Sequence, residues 1–156
     1  MLFSILLTSA VLPLLAVASP LKPRAGGPAF SPIPANCTLI NALPHASDHP
    51  GNGTVNSWKP SDAVMNQTVY SYYLEQPDFY TYNKRYEGCL EQCNSVTGCK
   101  SVVFANNAPT PKGYYGTTGG VLSVGCVMFG TYLTPDDFVP AIDGQWVNET
   151  SANIYC

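Results

Sequence analysis

The sequence predicts an α+β domain, with one helix set among several short strands and disulfides bracing the whole. Three observations predict it. Apolar residues and cysteines recur at helical spacing between Tyr86 and Val96. Short runs of β-branched and aromatic residues lie on both sides of that stretch. Six cysteines, an even number, follow an apolar leader.

The leader comes first in the chain. Leu2, Phe3, Ile5, Leu6, Leu7, Val11, Leu12, Leu14 and Leu15 belong to one apolar block, and no charge appears before Lys22. Pro13 breaks the block, which is short for a membrane span, so residues 1–18 read as a secretory signal peptide. Ala16-Val17-Ala18 is a small-x-small site that places cleavage after Ala18; an uncleaved anchor is the rival reading. Residues 19–34 hold Pro20, Pro23, Gly26, Gly27, Pro28, Pro32 and Pro34, a composition that favours an extended linker over a core. Within it, Lys22-Pro23-Arg24 is a candidate trimming site. The folded domain is expected over residues 35–156.

Residues 35 to 60 are rich in Asn, Pro, Gly, Ser and His, and Asp48-His49-Pro50-Gly51-Asn52-Gly53 signals a turn or loop. Val64 to Leu74, with Val69, Tyr70, Tyr72 and Tyr73, has β-type composition; Phe79, Tyr80 and Tyr82 form another β-like stretch. The helix follows. Tyr86, Cys89, Leu90, Cys93 and Val96 mark one face, while Glu87, Glu91, Gln92 and Asn94 fall on the other. Glu87 suits the positive end of the helix dipole, and Gly98 is a natural stop. Ser101–Ala105 then reads as a buried strand, Asn106–Gly120 as a Gly/Pro-rich loop, Val121–Val124 as a short strand, and Cys126–Phe129 as a core strand. Pro135-Asp136-Asp137 suggests a turn or short helical start, and Trp146-Val147 and Ile154-Tyr155 are the last apolar pairs.

Composition narrows the class. The charged fraction is 11%, too low for a disordered tail. A formal net charge of −3, with no basic cluster larger than Lys84-Arg85, argues against nucleic acid as a partner, since such a binder needs a basic face to displace counterions. No apolar run after residue 18 approaches membrane length. Cys37, Cys89, Cys93, Cys99, Cys126 and Cys156 behind a signal peptide read as three disulfides, although fifteen pairings are open. Zinc is disfavoured by the x3 and x5 spacings and by histidines far upstream. Four sequons, at Asn36, Asn52, Asn66 and Asn148, make N-glycosylation an expectation on an exported chain.

Tyr86-Glu87-Gly88-Cys89-Leu90-Glu91-Gln92-Cys93, then Gly98-Cys99-Lys100-Ser101-Val102-Val103-Phe104, then Gly125-Cys126-Val127-Met128-Phe129 together resemble the PAN/apple family as found in small secreted proteins of fungal type. In that family a C-x3-C pair lies on the single helix, a third Cys follows about six residues later, and a later strand opens with another. The resemblance implies a twisted antiparallel sheet with one helix packed across it. It also implies a nested pairing, Cys37–Cys156, Cys89–Cys126 and Cys93–Cys99. Its functional implication is binding to protein or carbohydrate, without a fixed set of binding residues to transfer.

Few residues suggest chemistry. His45 and His49 flank Asp48 at a spacing that would serve a metal on a helix, but Pro44, Pro50 and Gly51 make this a loop, and no metal site is expected. Asp136 and Asp137 are adjacent, so their side chains should diverge in a solvated turn. Glu75, Asp78, Glu87, Glu91, Asp143 and Glu149 include no pair that spacing selects for glycoside hydrolysis. Tyr114 and Tyr115, in a Gly/Pro-flanked loop, are the leading candidates for stacking on a sugar or anchoring a protein. Trp58 and Trp146 could serve likewise, or fill the core of a small domain. The expectation is a secreted, cofactor-free, non-catalytic module that binds a glycan or an extracellular protein, with the cell wall as a candidate location. A small polysaccharide-acting enzyme, and a cell-wall structural or effector protein, are the alternatives.

Overall fold

A computed structural model describes residues 27–44, 57–74 and 81–156. In chain order its elements are β1 (Thr38–Ile40), β2 (Trp58–Pro60), α1 (Asp62–Met65), β3 (Thr68–Leu74), α2 (Tyr82–Ser95), β4 (Ser101–Pro109), β5 (Leu122–Phe129), β6 (Phe138–Pro140) and β7 (Val147–Tyr155). Single 3-10 turns lie at Tyr114–Gly116 and Pro135–Asp137. Five strands form one sheet in the order β1-β7-β4-β5-β3, every neighbour antiparallel, and β2 pairs with β6 apart from it. The fold is therefore α+β, with a mostly antiparallel sheet, one main helix and three disulfides.

The central strands explain their own sequences. Side chains alternate across a strand, so β4 sends Val102 and Phe104 to one face and Val103 and Ala105 to the other. On the first face they meet Cys89, Leu90 and Cys93 of α2, together with Val124, Cys126 and Met128 of β5. On the second they meet Trp58, Val64, Phe129, Leu133, Phe138 and Trp146. Both faces of the sheet are covered, which is why these strands are apolar without interruption. Tyr82 and Tyr86 of α2 complete the first layer, their ring centroids 5.0 and 6.1 Å from that of Phe104.

Helix α2 starts earlier than periodicity suggested. Tyr82, expected on a strand, opens it, and Thr81 is its N-cap residue. Phe79 and Tyr80 lie outside the described residues, as do Glu75 and Asp78. The helix ends where Val96 turns extended, and Gly98 follows with φ +81°, a conformation glycine adopts without steric cost. The β-type stretch from Val64 divides in two: α1, whose Ser61 cap accepts the Val64 N–H at 3.4 Å, and then β3.

Two further boundaries move. The predicted loop from Asn106 begins late, because β4 continues to Pro109 through a bulge between Ala105 and Ala108. The expected short strand and core strand at Val121–Phe129 are one strand, β5, running straight through Gly125. A Cβ at Gly125 would sit 2.6 Å from that of Ala108 and 3.2 Å from the Tyr73 ring. This glycine permits close strand approach instead of ending a strand.

The last part of the Pro/Gly-rich segment is extended but docked. Gly27–Pro34 runs along α2, where the Ser31 N–H donates to Glu91 O at 3.1 Å and Gln92 Nε2 donates to Pro28 O at 3.2 Å. Asn94 Nδ2 donates to Pro32 O at 3.0 Å, and Ile33 packs against the helix-side core. The disulfides are nested. Cys89–Cys126 fastens α2 to β5, Cys93–Cys99 holds the helix end against the start of β4, and Cys37–Cys156 ties the residue before β1 to the residue after β7. With sequence separations of 119 and 6, the outermost and innermost bridges are worth about 5 and about 2 kcal/mol in the chain-entropy account.

Candidate functional site

Strand β3 is an edge of the sheet, and α2 crosses one face beside it. The alternation in Thr68–Leu74 puts Tyr70 and Tyr72 on the helix side and Tyr73 on the other. The 3-10 turn at Tyr114–Gly116 comes round the edge from that other side. Between these three walls lies a cleft of about 770 Å³. Tyr70, Tyr72 and Leu74 line it from β3, Arg85, Gly88 and Glu91 from α2, and Tyr115 closes the rim.

Tyr114 and Tyr115 are brought to this cleft, in different roles. Tyr114 is half-buried, and its hydroxyl accepts the Tyr73 backbone N–H at 2.9 Å. Its ring stands edge-on to that of Tyr73, with centroids 5.0 Å apart. It thus satisfies an outward-facing donor of the edge strand and buttresses the wall. Tyr115 is 89% exposed and rests edge-on against Tyr114 at 4.6 Å. Its φ of +46° is left-handed, a region that disfavours large side chains, between Gly113 and Gly116, which are also left-handed. The turn holds an aromatic ring out into solvent beside the cleft.

The cleft's polar groups are largely neutral. Burial pushes the Tyr72 hydroxyl up to about 12, with Tyr70 nearby adding to the effect and Arg85 opposing it. Tyr73 also rises to about 12, mainly by burial, and Tyr70 and Tyr114 are raised for the same reason. All remain protonated donors at neutral pH. Lys84 Nζ pairs with Glu87 Oε2 at 3.2 Å, so that charge is balanced within the wall. The lining contains two cations, Lys84 and Arg85, against two carboxylates, Glu87 and Glu91.

The other candidates lie elsewhere. Trp146, considered as a stacking residue, is only 4% exposed and belongs to the core on the far side of the sheet. Trp58 is buried in the same cluster, its backbone N–H donating to Glu149 Oε1 at 2.9 Å. Asp137 accepts from the Thr134 N–H at 2.8 Å and so closes the capping box of the 3-10 turn to which it belongs. Among the described residues no group of three His, Cys, Asp or Glu side chains is placed to hold a metal. His45, Asp48, His49 and Asn52 lie outside the described residues, while Asn36, Asn66 and Asn148 are exposed. The described helices include none long and apolar enough to cross a membrane.

Sequence reasoning found the tyrosine turn but missed Tyr70, Tyr72 and the outer face of α2. The signal was present in part: Tyr70 and Tyr72 are two apart in a strand-like run and had to share a face. Their partnership with a turn more than forty residues away had no local signature. No family model, curated protein or solved structure matches the chain.

Proposed function

We propose that this protein is a secreted, non-catalytic binding module of apple-like architecture, and that it holds a saccharide in the tyrosine-walled cleft between α2 and β3. The observation that carries the reading is the wall itself. Tyr70, Tyr72 and Tyr115 gather round one groove, and the hydroxyls of Tyr70 and Tyr72 stay protonated, so aromatic surface and hydrogen-bond donors meet there as sugar recognition requires. The balanced charge of the lining favours an uncharged glycan over a uronate or sulfated one. Rigidity supports the reading too, because Cys89–Cys126 fixes the helix wall against the sheet and limits the ordering cost of binding. The carboxylates in the cleft, Glu87 and Glu91, both come from α2. Glycoside hydrolysis needs a pair flanking the scissile bond, so two groups on one wall suit binding better than cleavage. Export is supported by the apolar leader and by three disulfides in a small domain.

The test is titration of the secreted protein, its N-glycans in place, with neutral oligosaccharides such as gluco-, manno- and N-acetylglucosamine hexamers. Saturable binding without turnover is expected. Tyr115→Ala should weaken it about tenfold or more, the scale of an aromatic hot spot, with thermal stability unchanged. Tyr115 is the informative position because its ring supports nothing buried. Absence of binding to every saccharide would refute the reading.

A further inference from the structure

The structure assigns a role to three of the glycosylation sequons: N-glycans at Asn36, Asn66 and Asn148 screen the open edges of the sheet against strand-to-strand association. A strand with an unpaired edge is a template for another chain, and natural proteins blunt such edges with charge, proline, bulges or a cover. Here the five-stranded sheet has two outer strands among the described residues, β1 and β3. Each carries exposed apolar side chains: Leu39 and Ile40 on β1, Val69 and Leu74 on β3. No Lys, Arg, Asp or Glu lies within either strand; on β3 a bulge between Thr68 and Tyr70 and the Tyr114 hydroxyl on the Tyr73 N–H blunt the edge in part. Among the described residues the β1 edge is open in its hydrogen bonding as well. Ile154 donates its N–H to Lys100 O, away from β1, so its partner Leu39 must turn its own backbone groups outward.

The sequons fall at these edges. Asn36 lies two residues before β1, and Asn66 two residues before β3. The third edge is less obvious. β1 covers only Asn153–Tyr155 of β7, so among the described residues Val147–Ala152 has no neighbouring strand on that side; the Tyr82 and Tyr86 hydroxyls donate to Asn148 O and Ser151 O, and the exposed Asn148 stands there. All three asparagines are exposed. Asn148 is left-handed, with φ +53°, a conformation asparagine tolerates. A glycan is bulky and hydrated, so one attached at each point denies a second chain approach along the adjacent edge. Glycans thereby supply the protection that charged residues give other sheets.

The experiment compares the secreted glycoprotein with the same protein trimmed after folding by an endoglycosidase that leaves a single sugar on each asparagine. Mass spectrometry first reads occupancy, and light scattering and sedimentation then read association. The glycoprotein should stay monomeric while the trimmed form shifts to oligomers with increased β-type infrared absorption. Lysine placed on the edges of the trimmed form, as Ile40→Lys with Val69→Lys, should restore the monomer. Asn36→Gln, Asn66→Gln and Asn148→Gly, the last chosen for its positive φ, should reproduce the effect of trimming. Empty sequons, a trimmed protein that stays monomeric, or association that edge lysines leave unchanged would each overturn the assignment. None of these readouts depends on the ligand of the cleft.

Discussion

Tyr114 and Tyr115 are neighbours of one chemical type, yet backbone conformation gives them opposite duties. Tyr114 turns inward and spends its hydroxyl on the Tyr73 N–H; Tyr115, in left-handed backbone, turns outward and is 89% exposed. Tyr114→Phe leaves that edge donor without its partner, and the loss should cost about 1 kcal/mol in denaturant unfolding. The same variant should keep saccharide affinity within about threefold if Tyr114 acts only as a buttress, an expectation that calorimetric titration checks. Equal loss of affinity in Tyr114→Phe and Tyr115→Ala would instead place the Tyr114 hydroxyl in contact with ligand. The turn was legible from its Gly and Pro neighbours. The division of labour was not, because it depends on a backbone group of β3 that is distant in sequence.

Among the elements, β5 carries the most structure. It pairs with β3 and β4, holds Cys126 for the bridge to α2, and buries every residue from Ser123 to Phe129. Gly125 lets it pass between Ala108 and Tyr73. Gly125→Ala should cost roughly 1–3 kcal/mol through overpacking and lower the thermal midpoint, as calorimetry would show. A neutral outcome would mean that β4 relaxes freely at its bulge. Sequence reading gave Val121–Val124 and Cys126–Phe129 as separate strands on either side of this glycine; what joins them is an inter-strand contact that no window of sequence contains. Helix α2, by contrast, was legible in type and in its buried Cys89, Leu90 and Cys93, since the 3.6-residue period survives whatever packs against it; Gln92, expected on the opposite face, is buried because the Gly27–Pro34 segment docks over it. Its start was missed because Tyr82 has strand-like propensity and is drawn into the helix by its contact with Phe104.

At the scale of the whole molecule, the aromatic content couples stability to alkaline pH. Tyr72, Tyr73 and Tyr86 are each pushed up to about 12, chiefly by burial. The unfolded chain releases these protons near pH 10, whereas the folded protein holds them until about 12. Above pH 10 the folded state therefore binds more protons, and stability must fall as pH rises. This contribution is fully present below about pH 10 and is lost on passing through about 12. Denaturant midpoints measured across that window should drop, with tyrosinate absorbance appearing in step with unfolding; stability unchanged through pH 12 would contradict the burial of these rings. The nested bridges act at the same scale, restricting the unfolded chain.

By itself the sequence determined the mixed class, the helix face of Cys89, Leu90 and Cys93, the buried strands around Val102–Ala105 and Cys126–Phe129, and an even set of six cysteines. These are periodicities and counts, properties of short stretches that hold wherever the chain later folds. Only the tertiary structure decided that Gly27–Pro34 docks along α2, that Trp146 is core, and that Tyr70 and Tyr72 meet Tyr115 across a cleft. It also decided that β1 and β3 are the outer strands, with a sequon beside each. Those facts depend on strand order and long-range pairing, whose free energy comes from burying surfaces contributed by distant segments, and that is not written in any local pattern of residues.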